Sequence, residues 1–145
     1  MIEIREITSK DTIPIRSEIL RPGQSLDTCI YSHDDDQTSF HLAAYSSGEQ
    51  ASIASFYLEK HPDLKGSIQY RFRGMATKAA YRNQGFAGAL LSYAFEKIKT
   101  FNCNVVWCNA RVNAIQLYMK MGMEICSDEF DIPGIGPHFL MKKEF

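Results

Sequence analysis

The sequence contains no apolar run that approaches the roughly 20 residues needed for a membrane-spanning helix. Residues 1–7 alternate apolar with polar side chains and lack the basic and apolar regions of a secretory signal peptide. An excess of positive charge is also missing, because 16 basic and 17 acidic residues give a net charge of −1. The basic residues are scattered rather than clustered, so nothing indicates nucleic-acid binding. We therefore expect a cytoplasmic protein with no nucleic-acid and no membrane partner.

Cysteine is scarce, and the four residues form no C-x-x-C pair and have no histidine at metal-binding spacing: Cys29, Cys103, Cys108 and Cys126. The expectation is reduced thiols in a cytosolic core and no metal site. A G-x-G-x-x-G motif after the first strand is missing too, and no acidic residue follows at the expected distance. These absences argue against a dinucleotide-dependent redox enzyme.

The chain has 145 residues, of which 45% are hydrophobic, a length and composition that predict one globular domain over residues 1–145. The hydrophobic periodicity predicts a strand, a helix, three strands, a helix, a strand, a helix and two strands. The predicted strands cover residues 2–7, 40–45, 51–59, 67–77, 105–108, 123–130 and 139–143. Three helices are predicted. The first begins after residues 11–12 and ends at residue 21, and the other two cover residues 86–98 and 114–121.

One strand-helix-strand unit stands in the middle of an otherwise antiparallel set of strands. A parallel pair needs a crossover connection, which the helix supplies. The predicted fold class is therefore mixed α/β, with a central, mostly antiparallel sheet of about seven strands and helices on both faces.

The most informative segment is Arg82-Asn83-Gln84-Gly85-Phe86-Ala87, where a strand ends and the clearest helix begins. The first amide groups of a helix have no intrahelical acceptor and carry partial positive charge, which suits a phosphate or pyrophosphate. Gly85 permits close approach of the backbone to a ligand. The alternative is an ordinary strand-to-helix turn that contains a glycine.

This segment resembles the coenzyme A signature of the GNAT acetyltransferase superfamily, Gln/Arg-x-x-Gly-x-Gly/Ala. Arg82, Gly85 and Ala87 match it residue by residue. Residues 74–77 resemble the family's fourth strand, and residues 109–122 resemble its fifth strand and the helix after it, which carries Tyr-x-Lys-x-Gly. The order of predicted elements fits the whole domain, and the N-terminal half matches in pattern only.

The resemblance implies an N-acetyltransferase that moves an acetyl group from acetyl-CoA to an amine of a small molecule or peptide, with no metal. The fourth and fifth strands are expected to splay apart, with the pantetheine arm between them and an amine attacking directly in a ternary complex. The implied coenzyme contacts are Met75, Ala76, Thr77, Arg82, Asn83, Gln84, Gly85, Phe86, Ala87, Gly88, Asn109 and Asn113. A homodimer is compatible with the resemblance. The alternative function is a non-catalytic acyl-CoA binding or sensing domain.

The resemblance places Tyr118 where many relatives have the general acid that protonates the leaving thiolate. A phenol, with a reference pKa of about 10, is protonated at neutral pH and can donate. The structural alternative is a tyrosine that packs the helix against the sheet. Asn113 is interpreted first as a helix cap and second as a partner of the pantetheine arm.

The general base is less clearly indicated. Histone-type relatives carry a glutamate on the fourth strand, where this chain has Arg71. His138 is the best titratable alternative, because its reference pKa lies near 6.5. Deprotonation through ordered water is the other possibility.

Residues 20–37 and 134–138 are expected to form the acceptor side, where loops encode specificity. The acidic run at residues 34–36 can attract a cationic amine or can be a solvated loop. Arg111 can bind a substrate carboxylate or can pair within the sheet.

Overall fold

Eight strands, described in a computed structural model of residues 1–145, make up one sheet. They are Glu3–Ile7 (β1), Phe40–Ser46 (β2), Glu49–Leu58 (β3), Gln69–Thr77 (β4), Val105–Arg111 (β5), Glu124–Ile125 (β6), Phe130–Ile132 (β7) and Gly136–Glu144 (β8). Their order across the sheet is β1-β2-β3-β4-β5-β8-β6, and β7 also pairs with β8.

Three α-helices cover the sheet, at Ile13–Ile15 (α1), Phe86–Lys99 (α2) and Ile115–Lys120 (α3). Short 3₁₀ turns lie at Ser9–Thr12, Leu26–Cys29, Ala79–Tyr81 and Val112–Ala114, and a π-helical turn covers Arg16–Leu20. The elements over residues 9–20 form one N-terminal helical segment. None of the helices is long and apolar enough to cross a membrane.

The N-terminal helical segment begins at Ser9, about one turn before the start predicted from residues 11–12. Thr8 is its cap, and Asp11 Oδ2 accepts hydrogen bonds from the Thr8 amide (3.2 Å) and hydroxyl (3.0 Å). Pro14 stands in the first turn of α1, where its missing N–H costs nothing. The segment ends in a π turn, in which the Arg21 amide donates to the Arg16 carbonyl over 2.9 Å.

Helix α2 forms where the sequence changes from period two to period 3.6. Its apolar stripe is buried against the sheet: Phe86, Leu90, Leu91, Ala94, Phe95 and Ile98. These side chains belong to a core cluster of 22 buried residues, which also takes in Ile115 and Tyr118 of α3. A smaller cluster on the other face packs the N-terminal helical segment on the sheet through Ile15, Ala43, Ile53 and Ala76. Helices therefore lie on both faces, as predicted.

All strand pairs are antiparallel except β4 and β5. These two central strands run parallel and pair over only three residues, Gln69–Arg71 with Val105–Trp107. Beyond that point β4 continues beside β3 alone and β5 beside β8 alone. The mixed sheet and the splayed central strands confirm the predicted fold class.

The prediction of one strand over residues 123–130 was wrong, and the sheet has eight strands instead of about seven. Residues 124–125 pair with residues 141–142 of β8, whereas Phe130 pairs with His138. The edge chain therefore has two residues more than β8 between these pairs. The Cys126 amide still donates to the Leu140 carbonyl over 2.9 Å, and residues 127–129 leave the ladder. The Ser127 hydroxyl replaces a backbone acceptor there and accepts from the Leu140 amide over 2.9 Å.

Candidate active site

A wedge-shaped opening between β4 and β5 is the central feature of the site. Its closed end lies at the last paired residues, Arg71 and Trp107, and it widens toward the carboxyl ends of both strands. Residues 72–77 and 108–111 line its two sides, and their backbone groups on these sides have no neighbouring strand. Unpaired backbone groups inside a sheet can bind an extended ligand that carries its own amides.

Strand β4 contains a β-bulge in its pairing with β3, at the level where the wedge opens. Ser55 pairs with Arg73 and Ile53 with Ala76, so two steps along β3 match three along β4. Gly74 supplies the extra residue in a left-handed conformation, with φ of 65°. A bulge frees a backbone group from the ladder, and bulges are frequent beside active sites. An isolated glycine in an alternating strand is the sequence signal for such a bulge, and the bulge at Gly74 was not predicted.

The turn from β4 into α2 presents free amides at the mouth of the wedge. Asn83 (φ 60°) and Gly85 (φ 87°) are both left-handed, and Gly85 is the N-cap of α2. The first intrahelical hydrogen bond comes from the Ala89 amide to the Gly85 carbonyl (3.0 Å), so the preceding amides have no helical acceptor. No acidic side chain occupies the first turn. Residues 82–85 are exposed, which leaves this end of the helix open to an anion.

The predicted coenzyme contacts are brought together around this opening. Residues 75–77 lie on β4, residues 82–88 on the turn and first residues of α2, and Asn109 on the β5 side. The interpretation of Asn113 as a helix cap was wrong. Asn113 lies inside the 3₁₀ turn Val112–Ala114, α3 begins after Ala114, and no side chain caps either element.

Tyr118 lies on α3, facing the wedge. Its ring packs edge-on against Phe72 of β4 with the ring centres 5.3 Å apart, and its hydroxyl donates to the Met75 sulfur over 3.7 Å. The residue is only 7% exposed, and burial raises the pKa of its phenol above the ordinary value. The hydroxyl is therefore protonated at neutral pH and lies beside Met75 of β4, where the wedge widens. A thioether is a weak acceptor, so this hydrogen bond leaves the proton available for transfer.

His138 is not brought together with Tyr118. It is 3% exposed, and its Nδ1 lies 2.8 Å from the Gly136 carbonyl oxygen, which can only accept. Met141 belongs to the large core cluster that contains Tyr118. His138 stands three residues before it on β8, so the strand alternation turns it to the opposite face. The two predicted catalytic residues thus lie on different sides of the sheet.

The acidic run does not present three free carboxylates. Asp34 is 7% exposed and forms an ion pair with Arg16, which is fully buried, over 2.7 Å. The Asp34 carboxylate also accepts from the Tyr57 hydroxyl (2.5 Å) and the Tyr31 amide (2.9 Å). Burial opposes ionisation, but these hydrogen bonds prevail and hold the pKa of the Asp34 carboxyl below its ordinary value. Asp34 is therefore a structural anion and does not attract a cationic amine.

The same buried network extends to Ser55 and His41. Arg16 Nη2 donates to the Ser55 hydroxyl over 2.8 Å, and that hydroxyl lies 2.7 Å from His41 Nδ1. His41 Nε2 lies 2.8 Å from the Asp34 carbonyl oxygen, which can only accept, so Nε2 carries a proton. The network fixes the loop that contains Tyr31 and Asp34 against strands β2 and β3. Sequence patterns do not reveal such a pairing, because its members lie up to 41 residues apart.

The remaining candidates have simpler environments. Arg71 pairs with Glu59 over 3.2 Å on the face opposite α2, and Arg111 is exposed and forms no ion pair. Cys108 is buried in β5, and burial raises the pKa of its thiol above the ordinary value. A thiol of this kind is protonated and unreactive, so nothing here activates a cysteine nucleophile.

Comparisons with known proteins agree with this geometry. Residues 2–123 match the model of the acetyltransferase (GNAT) family. The uncharacterized N-acetyltransferase YitI of Bacillus subtilis is 42% identical over 143 residues, which cover 99% of this chain and 96% of YitI. Among solved structures, the ribosomal-protein-S18-alanine N-acetyltransferase of Escherichia coli superimposes with a TM-score of 0.75 at 17% identity, covering 99% of this chain and 94% of that one. An aminoglycoside 6'-N-acetyltransferase complexed with coenzyme A gives 0.73 at 12% identity, with coverage of 98% and 96%.

Proposed function

The chain belongs to the acetyltransferase (GNAT) family and is an N-acetyltransferase that uses acetyl-CoA, and we propose that it transfers the acetyl group directly to an amine in a ternary complex. The observation that carries the proposal is the wedge between β4 and β5, with free helix amides at its mouth and Tyr118 at its side. A non-catalytic acyl-CoA binding domain is not favoured, because a protonated, buried phenol stands beside the wedge.

The pyrophosphate of the coenzyme binds to the amides of residues 84–88 at the start of α2. These amides have no helical acceptor, and the helix dipole favours a negative group at that end. The half-buried Ala87, Gly88 and Ala89 leave room for the ligand along the first turn. Arg82, whose Nε donates weakly to the Thr77 carbonyl over 3.3 Å, remains exposed and adds positive charge nearby.

The pantetheine arm lies in the wedge and bonds to the free backbone groups of residues 75–77 and of Asn109. It enters as an added strand would, because its amides match the unpaired groups of β4. The thioester carbonyl then lies next to the bulge. A backbone N–H near Ala76 donates to the oxygen as negative charge develops on it, which lowers the barrier to attack.

Acyl transfer forms a C–N bond between the amine and the acetyl carbon and breaks the C–S bond of the thioester. The amine loses a proton to a base, and the departing thiolate gains one from the Tyr118 hydroxyl. A thiol has a reference pKa of about 8.5, below that of the buried phenol. The same burial also raises the pKa of the departing thiol, which reduces the difference between its pKa and that of the Tyr118 phenol.

Deprotonation of the amine is assigned to water or to His138. Because Nδ1 faces the Gly136 carbonyl oxygen and must donate to it, Nε2 is the ring nitrogen of His138 that could accept a proton. His138 lies on β8, beside Arg111 of β5, and on the sheet face opposite Tyr118, so as a base it would act from the other face of the sheet.

The start of α2 can be tested by changing Gly85 to glutamate. At Gly85 an added side chain meets no atom within 4 Å, so the substitution perturbs the ligand side and the left-handed backbone (φ +87°) but not the core. We expect Gly85→Glu to weaken binding of coenzyme A by at least about 100-fold, because charge and volume enter the pyrophosphate position. The measurement is calorimetric titration of the folded variant with coenzyme A.

Gly48 provides a matched control. It lies in the turn between β2 and β3 with φ of +83° and also has no atom within 4 Å of an added side chain. Gly48→Glu therefore imposes similar backbone strain away from the proposed site. Equal affinity of Gly85→Glu, Gly48→Glu and the unmodified protein for coenzyme A would refute the proposed pyrophosphate site.

A further inference from the structure

Three arginine side chains gather around the ring of Tyr31 on the sheet face away from α2. Their guanidinium carbons lie 4.0 Å (Arg16), 4.4 Å (Arg73) and 5.9 Å (Arg21) from the ring centre. Each of these contacts lies within the range of a cation–π interaction. The ring is buried, while its hydroxyl makes no hydrogen bond within the chain. We call these four residues the arginine cluster.

Only one of the three cations is neutralised. Arg16 pairs with Asp34 through two hydrogen bonds, one to each carboxylate oxygen. The Tyr57 hydroxyl and the Tyr31 amide donate to the same two oxygens, which leaves Asp34 little capacity to accept from another cation.

Arg21 and Arg73 have no carboxylate partner. No salt bridge or side-chain hydrogen bond within the chain involves either guanidinium, and the Nε of Arg21 is buried with no acceptor. Burial, and then the neighbouring charge of Arg71, lower the pKa of the Arg73 guanidinium, although the group remains charged. An uncompensated, partly buried cation is costly, and two of them side by side are more so. This arrangement is explained if an anion binds between them.

The arginine cluster adjoins the bulge of β4. A side-chain carbon placed on Gly74 would lie 3.2 Å from the Tyr31 ring and 3.6 Å from Arg16 Nε. Arg73 is the residue just before the bulge, and Ala76 lies three residues further, about 10 Å along the strand. Tyr118 is on the opposite face, so the cluster lies on the side from which an amine would approach the thioester.

We propose that the acceptor is a small molecule of the amino acid type, whose carboxylate binds to Arg73 and Arg21 while its amine reaches the thioester. This proposal rests on the function proposed above. Guanidinium groups present planar, paired donors that match a carboxylate, and a partly buried pair of them selects strongly for that group. The same positive charge disfavours polyamines and lysine-rich peptides, because their additional cations would meet Arg73 and Arg21.

The test compares acceptors that differ only in the anionic group. Acetyl-CoA is offered with each proteinogenic amino acid, with the corresponding amino acid amide and with the aminophosphonate analogue. Acetylated product is measured by mass spectrometry and thiol release. We expect kcat/KM for the best amino acid to exceed that for its amide by at least about 10-fold to 100-fold, as one or two charged hydrogen bonds imply.

Variants assign that preference to the cluster. Arg73→Gln should lower kcat/KM for the amino acid by about 10-fold to 100-fold and leave the value for the amide nearly unchanged, since the amide cannot pair with the lost charge. The affinity for coenzyme A should not change. Arg5→Gln is the matched control, because Arg5 also lies over a tyrosine ring, at 4.3 Å from Tyr45, but on the edge strand β1. It should behave as the unmodified protein.

The outcomes separate the two proposals. Amines acetylated with no preference for the carboxylate, or a preference that survives Arg73→Gln, would overturn the subsite and leave the transferase function intact. A preference for aminophosphonates would overturn the assignment to a carboxylate. If no amine at all is acetylated, the proposed function fails. Titration of the same amino acids into the coenzyme A-bound protein then decides the subsite, and binding that is absent or independent of Arg73 overturns it.

Discussion

Replacing Tyr118 with phenylalanine separates a catalytic role from a packing role. The change keeps the ring, which is buried edge-on against Phe72, and removes only the hydroxyl. That hydroxyl has a single weak partner, the Met75 sulfur at 3.7 Å, so the free energy of unfolding should change by less than about 1 kcal/mol. A positioned general acid contributes about 100-fold or more to kcat, equivalent to about 2.7 kcal/mol. We therefore expect a large loss of turnover with little loss of stability.

Tyr70→Phe is the control with the opposite expectation. Tyr70 belongs to the same core cluster as Tyr118 but lies on β4 at the closed end of the wedge, and its hydroxyl donates to the Thr38 carbonyl over 2.8 Å. Its removal should cost about 1 kcal/mol of stability and leave kcat unchanged.

Both variants are assayed with acetyl-CoA and one acceptor under conditions where the chemical step limits the rate, and their stabilities are measured by urea unfolding. A kcat for Tyr118→Phe above about half the normal value would show that Tyr118 only packs and that water or another side chain protonates the thiolate.

Two further predictions concern the buried ion pair and the thiols. Asp34→Asn leaves the Arg16 charge buried without a counterion and should lower the free energy of unfolding by about 3–5 kcal/mol, against less than 1 kcal/mol if the pair is unimportant. Because the pKa of Asp34 is lower in the folded state, its stabilisation is present above the unfolded pKa of about 3.8 and is lost as the pH falls through the folded value. Urea unfolding at stepped pH should show this loss, and Asp34→Asn should not. Transfer without a covalent intermediate predicts that Cys108→Ala remains active and that mass spectrometry finds no acetylated cysteine. A kinetically competent acetyl-cysteine would contradict direct attack.

Local sequence patterns predicted much of the fold. Helix α2 was identified because its apolar stripe has a clear 3.6-residue period, and the strand-helix-strand order predicted the parallel pair of β4 and β5. The family was recognised from two motifs, at residues 73–91 and 109–122, and is confirmed. The break at residues 127–129 was not predicted. The Ser127 hydroxyl substitutes for a backbone acceptor there, and the alternation of apolar and polar residues gives no sign of such a replacement.

The candidate site was predicted where it depends on a local turn and missed where it depends on distant residues. Gly85 and the following amides could be found because a helix start has a sequence signature. The pairing of Arg16 with Asp34 joins two segments that look like an ordinary helix and a solvated acidic loop, so the charge run was interpreted without its counterion. Arg73 reads as the polar face of an alternating strand, and only the fold brings it to Tyr31.

The wedge also bears on how this protein avoids aggregation. A strand edge with unpaired backbone groups is a template on which another chain can add its own strand. The wedge contains two such edges, along residues 72–77 and 108–111, but they face each other inside the sheet and converge on a closed end. A foreign strand would have to thread between them rather than lie alongside. A thin, amide-bearing arm of the kind proposed above can do so more easily than a polypeptide strand with its side chains, so the inward position of these edges protects them from strand addition.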